Sequence, residues 1–316
     1  MGLVKRPAAF TSEQEALAEA VRGYCRARCT DAVRRAPADS FPADFWTGLA
    51  DVGVFALAAP DEEGGGGEIV AASTELGRAA VPGPVAATCF AAHVLAAGQA
   101  RSLVDGTALV SVGVPSLMPW APIADVFIEW TGDEAWLLRR VGDVEPVETL
   151  GGEPWGRVRT ERVGALDRVA AAGDLFHLAV AGYGIGAGRR VLDTAIEHAR
   201  TREQFGRRIG SFQAVAHPLV NASLELEAAE KLSIVAGHAV DTKHEDARSV
   251  VAAARLSASR AAMNAAFAAH QTLGAVGYSV EGPIGLVTQR IRQSTLVTDA
   301  ESELAQRVLS TFSAER

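Results

Sequence analysis

The chain is short of the features that mark several common protein classes. Aromatic residues make up only 6% of its 316 residues, too few for a typical all-β fold. There are three cysteines, Cys25, Cys29 and Cys89, an odd number with no CxxC pair. A disulfide framework is therefore excluded, and small buried thiols in a reducing compartment are expected. Positive charge is not in excess: 30 Lys and Arg against 38 Asp and Glu give a net charge of −8. Such a surface does not suit a nucleic-acid partner. No window reaches the roughly 18 uncharged apolar residues of a membrane span, and MGLVKRPAAFTSEQEAL lacks the apolar stretch of a signal peptide. The seven histidines form no HExxH or His/Cys cluster, so no metal site is expected, and the GxSxG elbow of common hydrolases is absent. A soluble, cytoplasmic protein is the expectation.

What is present is alanine, 60 residues, within a chain that is 48% hydrophobic and 22% charged. That composition excludes disorder and favours closely packed helices. Residues 1–105 read as short helices, with Thr11 or Ser12 capping the first and Glu13 and Glu15 suiting its dipole. The run Gly64-Gly65-Gly66-Gly67 reads as a loop, because consecutive glycines lose too much entropy in a helix. Between 106 and 165 alanine becomes scarce and four of the five tryptophans appear: Trp120, Trp130, Trp136 and Trp155. Extended patterns there predict a small β domain, with the tryptophans as buried packing mass. From 166 to 316 helical periodicity returns over 174–202, 212–239, 245–273 and 300–312, predicting a four-helix bundle. The fold class is thus mainly α, in three parts.

Gly182, Gly184, Gly186 and Gly188 imitate a phosphate-binding loop, but helical periodicity runs through them, which favours close helix contact. The strongest local signal is Arg200-Thr201-Arg202-Glu203-Gln204-Phe205-Gly206-Arg207-Arg208-Ile209-Gly210-Ser211-Phe212-Gln213. A cationic helix end, an aromatic, a glycine stop and a helix opened by Ser211 fit a capped turn. They equally fit an anion site in which Arg202 clamps a phosphate and Phe205 offers a face to a heterocycle.

These residues also carry a resemblance. Arg202 to Gly206 followed by Phe212-Gln213 resembles the signature of the acyl-CoA dehydrogenase flavoproteins. So does His270-Gln271-Thr272-Leu273-Gly274-Ala275-Val276-Gly277-Tyr278 followed by Glu281-Gly282-Pro283. Leu49-Ala50-Asp51-Val52-Gly53-Val54, Pro60 to Gly65 and Glu75-Leu76-Gly77-Arg78-Ala79 resemble the family's N-terminal part. The likeness spans nearly the whole chain, and the family's helical, β and helical domains agree with the organisation above. It implies an FAD enzyme oxidising an acyl-CoA thioester, with FAD lying across a subunit interface. By motif match, Arg202 pairs with the pyrophosphate and Phe205 packs near the adenine. Gln204 belongs to the same motif, and Gln213, Gln271 and the backbone at Gly274 complete the ADP pocket for a partner's FAD.

Two departures bear on catalysis. The family's catalytic glutamate stands in a Glu-Gly-Thr stretch; the corresponding segment here, Leu296 to Ser302, has none and offers Thr298 or Asp299. The family's alternative base position falls on Phe176, which accepts no proton. The middle region is about half the family's usual length and lacks the loop and strand that contact the flavin ring and thioester. The chain therefore resembles the short subunit of heterotetrameric actinobacterial steroid-CoA dehydrogenases. It is expected to supply no catalytic residue and to contribute the ADP half of a site to a full-length homologue in an α2β2 assembly, with acyl-CoA bound mainly by that partner. A self-sufficient homo-oligomer using Asp299 and a non-enzymatic assembly subunit are the alternatives.

Overall fold

A computed structural model describes residues 9–36, 40–149, 151–279, 282–296 and 301–313. The chain opens with six helices: α1 (Ser12–Arg28), α2 (Asp31–Arg34), α3 (Ala43–Asp51), α4 (Gly66–Ala79), α5 (Val85–Val94) and α6 (Ala97–Val104). Thr11 caps α1: its hydroxyl accepts from the Gln14 N–H at 3.2 Å, and the Gln14 amide oxygen accepts from the Thr11 N–H at 3.1 Å. Cys25 and Cys29 are buried and free, packed with Val21, Trp46 and Leu76.

The four-glycine run departs from its expectation. Gly66 and Gly67 form the first turn of α4, and the Asp241 carboxylate accepts from their N–H groups at 2.6 and 3.1 Å. A carboxylate from a distant helix end thus supplies the missing cap, worth about 1 kcal/mol. The glycines serve close approach, since a Cβ on Gly66 would lie 3.0 Å from the Gly237 Cα.

Five strands follow: β1 (Val110–Gly113), β2 (Leu117–Pro119), β3 (Val126–Thr131), β4 (Glu134–Val147) and β5 (Trp155–Leu166). They form one sheet in the order β1-β3-β4-β5-β2, with β1 and β3 parallel and the other pairs antiparallel. The Ser111 hydroxyl on β1 donates to the Pro119 carbonyl on β2 at 2.6 Å, so the two edges curl towards each other.

The remainder is helical: α7 (Val169–Thr201), α8 (Gln213–Asp241), α9 (Ala247–Leu273), α10 (Ala275–Tyr278), α11 (Gly285–Ser294) and α12 (Glu301–Ser313). Between α7 and α8 lie two short strands, β6 (Glu203–Gln204) and β7 (Arg207–Arg208). In the bundle of α7, α8, α9 and α12, the last helix is less than half the length of the others, and α11 stands before it. The core is built on alanine: Ala187, Ala195, Ala258, Ala262 and Ala265 are buried with Ile185, Leu192 and Leu226. The α7 glycines sit inside this helix and permit close crossing. A Cβ on Gly186 would lie 1.8 Å from the Thr74 carbonyl oxygen of α4. By length and composition α7 could cross a membrane, but its apolar window is 83% buried inside the protein, which marks a core helix.

Candidate functional site

The residues singled out around Arg202 come together at one end of the bundle. Helix α7 ends at Thr201, and the chain turns back through a hairpin in which Glu203 pairs with Arg208 and Gln204 with Arg207. Phe205 and Gly206 make its two-residue turn with φ of +52° and +73°, the geometry of a type I′ turn. Glycine adopts such a φ freely and phenylalanine does not. The side chain so held is 92% exposed. Its ring meets Phe212 edge-on at 6.1 Å, and the Arg207 guanidinium covers the Phe212 ring at 4.0 Å. Aromatic and cationic groups thus alternate across one small platform. The expected helix opening at Ser211 is displaced: Ser211 lies in a 3-10 turn, its hydroxyl donating to the Arg208 carbonyl at 2.7 Å, and α8 starts at Gln213.

Gln213 opens α8 and Gln271 lies in the last turn of α9, both exposed, and Gly274 caps α9 with φ of +58°. Because α8 runs antiparallel to α7 and α9, these ends share one level. One apolar cluster underlies them, including Ala199, Leu219, Ala269 and Leu273, with Ile209 and Val215 packed against it. Arg202, Gln204, Phe205, Gln213, Gln271 and Gly274 are all exposed on top of it.

The other end of α7 is closed. Phe176 is 2% exposed, its ring edge-on to Trp130 at 5.1 Å, and Trp130 in turn stacks on Phe90 at 4.4 Å. Beside it lies a cavity of about 90 Å³ whose walls include Val81, Trp120, Phe176, Tyr183 and Arg290. Arg290 donates to the carbonyl of Ala80 and, at 2.6 Å, to that of Arg34, tying α11 to the N-terminal helices. Glu153 also lines this cavity; burial pushes its carboxyl up to about 7, with the Arg290 guanidinium opposing. Thr298 and Asp299 lie outside the described residues.

A second, open groove of about 770 Å³ runs between the sheet and α12, bordered by Val112, Gly113, Trp130, Trp155, Gln306 and Arg307. Trp130 and Trp155 therefore border a concave surface as well as filling space. The Arg307 guanidinium stands 3.5 Å from His177 Nε2. One turn back on α7, burial pushes the Asp174 carboxyl up to about 6, against the pull of Arg248 and Arg307. Sequence reasoning missed these groups. The available signal was Asp174 and His177, charged or titratable side chains inside the apolar run from Val169 to Gly188.

Two family models match the chain: "Acyl-CoA dehydrogenase, N-terminal domain" over residues 11–101 and "Acyl-CoA dehydrogenase, C-terminal domain" over 174–298. Acyl-CoA dehydrogenase IpdE2 of Mycobacterium tuberculosis is 31% identical over 296 residues, covering 88% of this chain and 90% of that protein. Acyl-CoA dehydrogenase FadE34 of the same organism is 30% identical over 90% of this chain, which spans 45% of FadE34. Among solved structures, the ChsE4-ChsE5 complex from Mycobacterium tuberculosis superimposes with a TM-score of 0.82 at 22% identity, covering 97% of this chain and 99% of that one. The steroid ACAD Tcur3481-Tcur3483 gives 0.82 at 22% identity, covering 96% and 98%. At that identity the two structures establish the shared fold.

Proposed function

Since the chain belongs to the acyl-CoA dehydrogenase family, whose cofactor is FAD, we propose that it is the half-site subunit of a heteromeric dehydrogenase. In this reading it lends the adenine and phosphate end of a FAD site to a full-length homologue and supplies no base of its own. One observation carries it: the two ends of α7 differ, the Phe205 platform being displayed and Phe176 being buried beside a small cavity. Ligand pockets usually measure about 300–1,000 Å³, so a 90 Å³ cavity has no room for a bulky acyl group. The exposed platform fits the ADP part of FAD. Arg202 would hold the pyrophosphate, Phe205 would pack on the adenine, and Gln204, Gln213, Gln271 and the Gly274 backbone would complete the pocket. Bound FAD supplies the two-electron acceptor for α,β-dehydrogenation of a CoA thioester. The partner would bind most of the acyl-CoA, in a two-plus-two heterotetramer. The steroid and complex names of the structural neighbours support a steroid side chain as the acyl group.

The open groove beside α12 favours a second reading, in which the chain holds a flavin ring of its own and Asp299 acts as base. Flavin stoichiometry separates the two. The chain is expressed alone and together with a full-length homologue, and FAD is measured by absorbance. One FAD per heterodimer and none on the lone chain is expected; stoichiometric FAD on the lone chain overturns the half-site reading. Arg202→Ala should weaken FAD binding in the complex at least tenfold with unchanged folding, and an unchanged affinity would remove the pyrophosphate assignment.

A further inference from the structure

Helices α1, α2, α4 and α7 meet around a groove of about 720 Å³ that neither end of α7 touches in the reading above. Its walls carry six guanidinium groups, those of Arg22, Arg26, Arg34, Arg78, Arg189 and Arg190. In a chain of net charge −8 this is a marked concentration of positive charge. The one acid lining it, Glu75, is held by Arg22 through two bonds of 2.9 Å. Carboxylates outside the groove partly serve the rest: Glu19 on Arg22, Asp31 on Arg34, Asp193 on Arg78 and Glu230 on Arg189. All but Glu230 are more than half exposed, and such surface pairs contribute about 0–1 kcal/mol each. A multiply charged ligand can displace them.

Arg190 and Arg26 have no carboxylate within ion-pair distance among the described residues. Arg190 is partly buried and donates to the Arg78 carbonyl at 3.1 Å. Burial, and then the neighbouring Arg34, make its charge harder to keep. The floor offers no compensation, because burial pushes the Cys25 thiol up to about 12 and raises that of Cys29, leaving both neutral. Planar forks converging from four helices match the oxygens of phosphate, and desolvation of Arg190 strengthens what it binds.

We propose that this groove is a binding site for an oligophosphate group, with Arg190 and Arg26 as its main ligands and Arg34, held by Asp31 and the Cys29 carbonyl, at its edge. The group can come from free pyrophosphate or from a nucleotide such as ADP or CoA, and the same chemistry serves both. The full chain is titrated calorimetrically with inorganic pyrophosphate, ADP and CoA, and with polyglutamate as an acidic peptide. Saturable pyrophosphate binding is expected, weakened at least tenfold by Arg190→Gln and by Arg26→Gln, which tests the site should the first variant not fold. Arg101→Gln removes an exposed arginine on α6, paired with Asp105 and outside the groove, and should change nothing. The loss in Arg190→Gln should persist in an Arg202→Ala background, which separates this site from the proposed FAD platform. Tighter binding of ADP or CoA that is lost in Arg190→Gln identifies a nucleotide, and equal binding identifies the free anion. Absence of saturable binding overturns the proposal. So does an equal loss in Arg101→Gln, or binding of polyglutamate alone.

Discussion

One helix has two different ends. Over its first half α7 is buried on nearly every side, because α4 and α9 flank it and the sheet carries Trp130 onto Phe176. At its last residue the packing stops, and the chain stands out as a two-strand hairpin with an exposed aromatic at its tip. Composition does not explain the contrast, since small residues run from Ala170 to Ala199. The neighbours do. Alanine and glycine let helices approach so closely that the sheet can seal one end, while a turn with two positive φ angles holds the other open. A closed end contributes stability, and an open, polar one leaves its groups exposed.

The largest effect should come from breaking the closed end. Phe176→Ala removes a buried ring packed against Trp130 and enlarges the adjoining cavity. Such truncations cost about 3–5 kcal/mol, read as a lower midpoint in urea unfolding at unchanged slope. A loss under about 1 kcal/mol would mean that this end is already loose and the contrast with the hairpin unfounded.

Asp174 sharpens the same comparison through pH. Its folded carboxyl titrates at about 6 and its unfolded one near 3.8, so the folded state keeps the proton longer. Well below pH 3.8 the group is neutral in both states and costs nothing. As pH rises to 6 the unfolded chain ionises first, and stability falls; above 6 the buried charge remains as a penalty. At about 1.4 kcal/mol per pH unit that penalty approaches about 3 kcal/mol. Arg248 and Arg307 oppose it and Asp133 adds to it. Asp174→Asn should therefore gain on the wild type between pH 4 and 7, tracked by thermal melts across that range. Parallel curves for the two proteins would show that Asp174 ionises freely.

Much of this was legible in the residues. The bundle helices appear in the spacing of alanine and leucine, and α8 and α9 begin and end within a few residues of the expected points. Periodicity failed where an element is defined by contacts from afar. The glycines at 66 and 67 enter a helix because Asp241, 174 and more residues away, caps them. The hairpin at 203–208 was hidden because it has two residues per strand, too few for any alternation to show. The motif residues around Arg202 could be named but not arranged. The arginine groove was invisible, since Arg22 and Arg190 meet only once α1 packs against α4 and α4 against α7.

The smallest effect should fall on the open end, and there stability and binding part company. Phe205→Gly exchanges an exposed ring for the residue best suited to φ of +52°. Relief of that backbone strain, about 1 kcal/mol, offsets the single edge contact with Phe212, so the midpoint of unfolding should stay put or rise slightly. Under the half-site reading, FAD retention by the proposed heteromeric complex should nevertheless fall several-fold, because the adenine would lose its stacking face. Unfolding at lower urea would show that the ring packs for stability, and full FAD retention would show that it packs against no cofactor. Only a neutral fold with weakened FAD keeps the hairpin as a surface displayed for a second molecule.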